Sequence, residues 1–145
     1  MPRFFTLQEA EELLPRIERL LQSAVEAHSE AAGHEGALER VVSRITYLGG
    51  VEIDPADYSQ RKNLKRRAEG VVQQAIEEIQ AAGVLIKDIE VGLIDFPAIF
   101  GGREVLLCWK LGESKIEHWH GVDEGFNGRK PITGEFGPRA SARPN

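Results

Sequence analysis

The chain reads as an α+β protein: a long antiparallel helical hairpin packed on a small antiparallel β-meander of three to four strands. Three observations predict this. Up to Ala82 apolar residues recur three and four apart, the spacing of one helix face. Two N-terminal capping signatures, at Thr6 and at Asp54, divide that half into two helices. After Gly83 the pattern changes to short runs of Val, Ile, Leu, Phe and Trp punctuated by glycine turns, as in consecutive hairpins. A single domain over residues 1–133 is expected, with the hairpin in 1–83 and the meander and a loop in 84–133. Residues 134–145 turn to Gly, Pro, Arg and Ser and are expected to be a disordered tail.

Thr6 and Glu9 have the spacing of a capping box, in which each side chain serves the other residue's backbone N–H. Behind them Leu7, Ala10, Leu14, Ile17, Leu21 and Ala24 form a stripe that Leu13, Leu20 and Val25 widen. Pro15 removes one backbone donor and crowds the carbonyl four residues earlier, which predicts a bend near Glu11 and Glu12. The same phase passes through His28 and Ala31 and resumes at Leu38, Val42 and Ile45. Gly33 and Gly36 oppose it, each costing about 1 kcal/mol relative to Ala in a helix interior, an amount packing can offset. One long helix ending at Gly49-Gly50 is favoured, with a break at Gly33 to Gly36 as the alternative.

Asp54 is placed to cap the second helix, with Pro55 at its first position and Asp57 at its third. Leu64, Ala68, Val71, Val72, Ala75, Ile76, Ile79 and Ala82 follow at helical spacing. Gly83 supplies a left-handed terminator, and Val84 can then pack on Ile79. The one basic cluster, Arg61, Lys62, Lys65, Arg66 and Arg67, falls opposite Glu35 and Glu39 in an antiparallel hairpin. A solvated charged face is therefore expected of it, rather than a nucleic-acid surface.

In the β half, Val84 to Lys87 is a lead-in strand, followed by strands at Leu93 to Pro97, Arg103 to Leu111 and Lys115 to His120. A two-residue Gly101-Gly102 turn sets Phe100 opposite Arg103, Asp95 opposite Cys108 and Phe96 opposite Leu107. The next turn is open to two readings. A two-residue loop puts His118 opposite Leu107, and a three-residue loop, Gly112 to Ser114, puts it opposite Cys108. The latter sorts the side chains better and is adopted: Ile94, Phe96, Val105, Leu107, Trp109 and Trp119 share one face, spoiled only by Glu117. The other face then gathers Asp95, Cys108, His118 and His120 among Leu93, Leu106 and Ile116. Beyond it, residues 121–129 read as an irregular loop in which Phe126 anchors on the apolar face and Arg129 returns to Asp95 or Glu113.

The segments FTLQEAEELLPRI, GVLIKDIEVGLIDFPA and GGREVLLCWKLGESKIEHWHG, followed by GFNGR, resemble an uncharacterised prokaryotic family catalogued as domain of unknown function 2203. The resemblance covers most of the chain apart from the middle of the helical region and the tail. It implies a small bacterial or archaeal protein and supplies no activity. In the family's pattern the positions of Asp95, Cys108, Trp109, Glu113, Trp119, His120 and Arg129 belong to the motif. The position held here by His118 is often aromatic, a departure that weakens any role needing both histidines.

Composition limits the functions open to this chain. It has 145 residues, 41% of them hydrophobic and 28% charged, and a net charge of -5, which gives no general attraction to nucleic acid or anionic membrane. A lone Cys, no N-terminal apolar segment and no apolar run of spanning length make a cytoplasmic protein without membrane insertion the expectation. The leading reading is a binding or homo-oligomerisation module, a homodimer through the helical region. On that reading Trp109 is core, Cys108 behaves as a small hydrophobe, and His120 and Asp95 are satisfied by hydrogen bonds. Glu113 is a solvated turn residue, and Arg129 pins the loop.

The alternative is a Zn2+-type site on the outer face of the meander. Its ligands would be His118, His120, Asp95 and Cys108, with Glu113, Arg129 and Trp119 as ligand-binding neighbours. Were water a further ligand, Glu113 or Glu124 could serve as base for metal-dependent hydrolysis. A nucleophilic role for Cys108 stands third, because the residue lies mid-strand rather than in an exposed turn. His28 and His34 are read as ordinary helix or surface residues.

Overall fold

A computed structural model describes residues 3–48 and 54–133 of the chain. Helix α1 (Leu7–Leu48) and helix α2 (Pro55–Ala81) form the hairpin. The expected tail and the expected helix end at Gly49-Gly50 lie outside the described residues. Thr6 and Glu9 close the capping box in both directions, at 2.9 and 3.0 Å. Asp54 accepts from the N–H of Ala56 at 3.0 Å. At the far end of α2, Gly83 adopts φ 93°, its N–H reaches the Gln80 carbonyl, and the Val84 N–H reaches that of Ile79. These are the two bonds of a Schellman ending, and Ile79 and Val84 are both buried in the core beneath it.

Helix α1 runs unbroken through Pro15 and through Gly33 to Gly36. Its 42 residues span roughly 63 Å at 1.5 Å per residue. Phe5, Ala10, Leu14, Ile17 and Leu21 pack with the sheet, whereas the later buried positions Ala24, Ala31 and Leu38 are matched by Ala68 and Ala75 of α2. Lys65 pairs with Glu35 at 2.6 Å and Arg61 approaches His34 at 3.2 Å, so part of the basic cluster is neutralised within the hairpin. None of the described helices is long and apolar enough to cross a membrane.

The sheet holds five antiparallel strands in sequence order: β1 (Leu85–Asp88), β2 (Leu93–Phe100), β3 (Arg103–Lys110), β4 (His118–Gly121) and β5 (Lys130–Pro131). The additional strand lies just past the segment read as irregular loop, where the chain turns back so that Lys130 pairs with Trp119 and Pro131 with His118. Strand β2 continues three residues past Pro97. A proline is tolerated there because β1 pairs only as far as Asp95, and the Pro97 carbonyl still accepts from Phe5 at 2.7 Å.

The Gly101-Gly102 turn has φ of 59° and 75°, both positive as a type I′ turn requires, and fixes the β2–β3 register as expected. Cys108 faces His118 as expected, but not through a three-residue turn. Residues 111–117 form a longer connection. The Glu113 carboxylate accepts from the N–H of Lys110 at 2.7 Å, its carbonyl accepts from Trp109 Nε1 at 3.2 Å, and Ile116 is buried. These ties satisfy the chain locally, so no ladder forms until His118. Ile94, Phe96, Val105, Leu107 and Trp109 face the helices, with Phe96 edge-to-face on Phe5 at 5.4 Å.

Gly92 joins β1 to β2 at φ +75°, and a Cβ there would lie 2.8 Å from Cβ of Leu111. Gly92→Ala is expected to cost about 2 kcal/mol or more in urea unfolding, combining left-handed strain with overpacking. Gly33, in α1, has open space within 4 Å of the point a Cβ would occupy, so Gly33→Ala should instead gain roughly 0.5–1 kcal/mol.

Candidate metal centre

The sheet face turned away from the helices carries Asp95 on β2, Cys108 on β3 and His120 on β4. Alternation along each strand directs these side chains outward, and the register sets Asp95 beside Cys108. That face is not open. Asp95 and Cys108 are 0% exposed and His120 is 4% exposed. The return segment runs beside it: its short 3-10 turn, Phe126–Gly128, contacts β4, and Arg129 reaches back to Glu113 and His118.

One oxygen of Asp95, the sulfur of Cys108 and one ring nitrogen of His120 lie within 4.8 Å of one another. His120 Nδ1 sits 2.9 Å from the carbonyl of Gly121, which can only accept, so Nδ1 carries a proton. Nε2 is therefore turned to Asp95 Oδ1 at 3.1 Å, and the pair holds one proton between them. Asp95 Oδ2 is buried with no hydrogen-bond partner, its nearest cation being Lys87 Nζ at 3.9 Å. Burial raises the Asp95 carboxyl above its ordinary value, against the lowering effects of His120, of Lys87 and of a hydrogen bond from the Cys108 thiol. Burial, reinforced by the Asp95 charge, pushes the Cys108 thiol up to about 12, while Arg129 pulls it down. A thiol in this state is a poor nucleophile, which argues against the catalytic-cysteine reading.

His118 does not join this group. Its Nδ1 lies 2.8 Å from Arg129 Nη2 and, because a guanidinium only donates, acts as acceptor there. The same nitrogen of Arg129 donates to both Glu113 oxygens at 2.9 and 2.8 Å. Arg129 thus chooses Glu113 over Asp95, and Phe126 stacks on the guanidinium 4.5 Å away rather than anchoring the loop on the apolar face. Glu113 is half-buried and holds two segments together, so it is not a solvated turn residue.

Trp119 stands apart from Glu113 and Arg129. It lies on the helix-facing side of the sheet, edge-on to Phe100 at 5.4 Å and beneath Lys130. It borders an open groove of about 590 Å³ with Arg103, Glu104 and Glu124. Glu124 caps the N–H of Gly121 at 2.8 Å and pairs with Lys130, so it fastens the loop rather than serving as a base. Lys87 escaped the sequence reading. A bulge between Ile86 and Asp88 leaves it without a strand partner, and nothing in the residue pattern marks such a bulge.

Comparison with known proteins adds the lineage. The model of a family described as "Uncharacterized conserved protein (DUF2203)" matches residues 3–132, and the chain belongs to that family. No curated protein and no solved structure matches it.

The Cys108 shift fixes a sign for stability. The folded chain holds the thiol proton more tightly than the unfolded chain, so the contribution is complete below the ordinary value of 9.0 and is lost as pH rises toward about 12. Urea melts from about pH 8 to about pH 10 should show stability falling by up to about 1.4 kcal/mol per unit in the upper half of that range. The fall should be shallower in Cys108→Ala, and equal slopes would contradict it.

Proposed function

Starting from a family that carries no assigned activity, we propose that the protein is a metal-binding protein, with Asp95, Cys108 and His120 as ligands for a Zn2+-type ion. The observation that carries this reading is the buried carboxylate oxygen without a hydrogen-bond partner, beside a thiol and an imidazole nitrogen whose tautomer is fixed from behind. The donor set mixes O, S and N, which suits Zn2+. A dication replacing the shared Asp95–His120 proton and the thiol proton would leave the charge of the buried site unchanged, which removes the main electrostatic objection to filling it. Such an ion supplies Lewis acidity and a template. The chain's own residues orient the imidazole through Gly121 and exclude bulk water. Binding ranks above metal-dependent hydrolysis, because Glu124 is committed to Gly121 and Lys130 and Glu113 to Lys110 and Arg129, which leaves neither candidate base free. A prokaryotic cytoplasm is the setting we propose, since a reduced Cys108 is required.

Untagged protein exchanged into Co2+ should develop thiolate-to-metal charge-transfer absorption that Cys108→Ser abolishes and His118→Ala retains. Affinity should rise by up to about 100-fold per pH unit while two protons are released. Stoichiometric binding that survives loss of Cys108 and of His120 alike would refute the assignment.

A second reading, homodimerisation through the hairpin, is supported by the exposed Val42, Ile45, Tyr47, Leu64 and Val71. Residues 26–39 carry Glu26, Glu30, Glu35 and Glu39 and no Lys or Arg, whereas residues 61–67 carry five bases and no acid. Within one chain Glu35 already pairs with Lys65, so it is the remaining charges of these two segments that a second copy, turned by a two-fold axis, would meet. Sedimentation of the full chain should give a dimer at micromolar concentration, and L64E with V71E a monomer. A wild-type monomer at high micromolar concentration would rule the dimer out.

A further inference from the structure

We propose that the centre, once metal-loaded, takes a small oxyanion as an exogenous ligand gripped by Arg129; this rests on the metal reading above. The described residues contain two buried side-chain polar atoms without hydrogen-bond partners, and both lie in this neighbourhood: the acceptor Asp95 Oδ2 and the donor Arg129 Nε. A cation answers the first and an anion the second. A metal ion with a bound carboxylate or phosphate oxygen answers both together, whereas a metal alone leaves the guanidinium edge unmatched.

The two atoms belong to one neighbourhood. Arg129 bonds His118, which is the register partner of Cys108. Arg129 is also held in place. Its Nη2 is spent on Glu113 and His118, and Phe126 covers its face at 4.5 Å, which leaves the Nε–H as a single donor held in a fixed plane. Charge points the same way. Lys87, Lys110 and Arg129 with a dication outweigh Asp95, a Cys108 thiolate and Glu113, so the loaded neighbourhood is net positive and an anion offsets it.

The test uses the full-length Co2+ protein and two probes, acetate and phosphate, each titrated against the visible cobalt bands. A saturable spectral shift is expected in wild type, from one probe or both, and the probe that shifts the bands at lower concentration identifies the carboxylate or phosphate preference. Arg129→Met should keep the cobalt spectrum and weaken the anion by about tenfold or more. Arg129→Lys, which retains the charge without the planar edge, should do likewise and serves if R129M does not fold. Bands unmoved by either probe, or an equal shift in the Arg129 variants, would overturn the oxyanion site while leaving the metal centre standing. A wild-type protein that takes up no Co2+ defeats the metal reading and this proposal with it.

Discussion

The pairing of β2, β3 and β4 is the constraint on which the rest of the molecule depends. Side chains alternate along a strand with a period of two, so one register sorts every residue of the meander between the helices and the outer face. The Gly101-Gly102 turn locks the first pair with both central residues at positive φ. From that single setting Phe96, Leu107 and Trp109 reach Phe5 and Ile17, and Asp95 and Cys108 are sent to the opposite side. A slip of one residue would bury the carboxylate among aromatic rings and expose the core.

The outer face is arranged at a cost in stability. A buried carboxylate oxygen without a hydrogen bond costs on the order of 1–3 kcal/mol, and burying a guanidinium nitrogen adds a comparable amount. The Asp95–His120 pair limits the penalty by remaining neutral overall, with Gly121 setting the imidazole and Lys87 nearby. Local departures of this kind are where natural sequences give up stability for a site, because a core built only for stability would carry apolar residues there. Glu113 shows the same economy. One side chain closes the β3–β4 connection and fixes Arg129, so the loop between those strands also holds the return segment.

The hairpin follows a different logic. Its first half is held by the sheet, and its second by alanine contacts between the helices with the Glu35–Lys65 pair at their edge. Small residues let two helices approach closely but bury little apolar area, while Leu64 and Val71 remain exposed. The sheet end therefore carries the stability and the buried polar cluster, and the far end carries surface.

Local rules determined much of this protein. Capping at Thr6 and Asp54, the terminator at Gly83, continuity of the helix through Gly33 and the β2–β3 register all follow from residues close in sequence, and the sequence names them correctly. The joint outward placement of Asp95, Cys108 and His120 was legible too, since it needs only register and alternation. What only the tertiary structure decided is direction and enclosure: that His118 turns to Arg129, that β5 exists, and that Lys87 bulges beside Asp95. Those outcomes depend on which charged groups the folded-back chain brings within hydrogen-bond reach of one another, and no period along the sequence encodes such a choice.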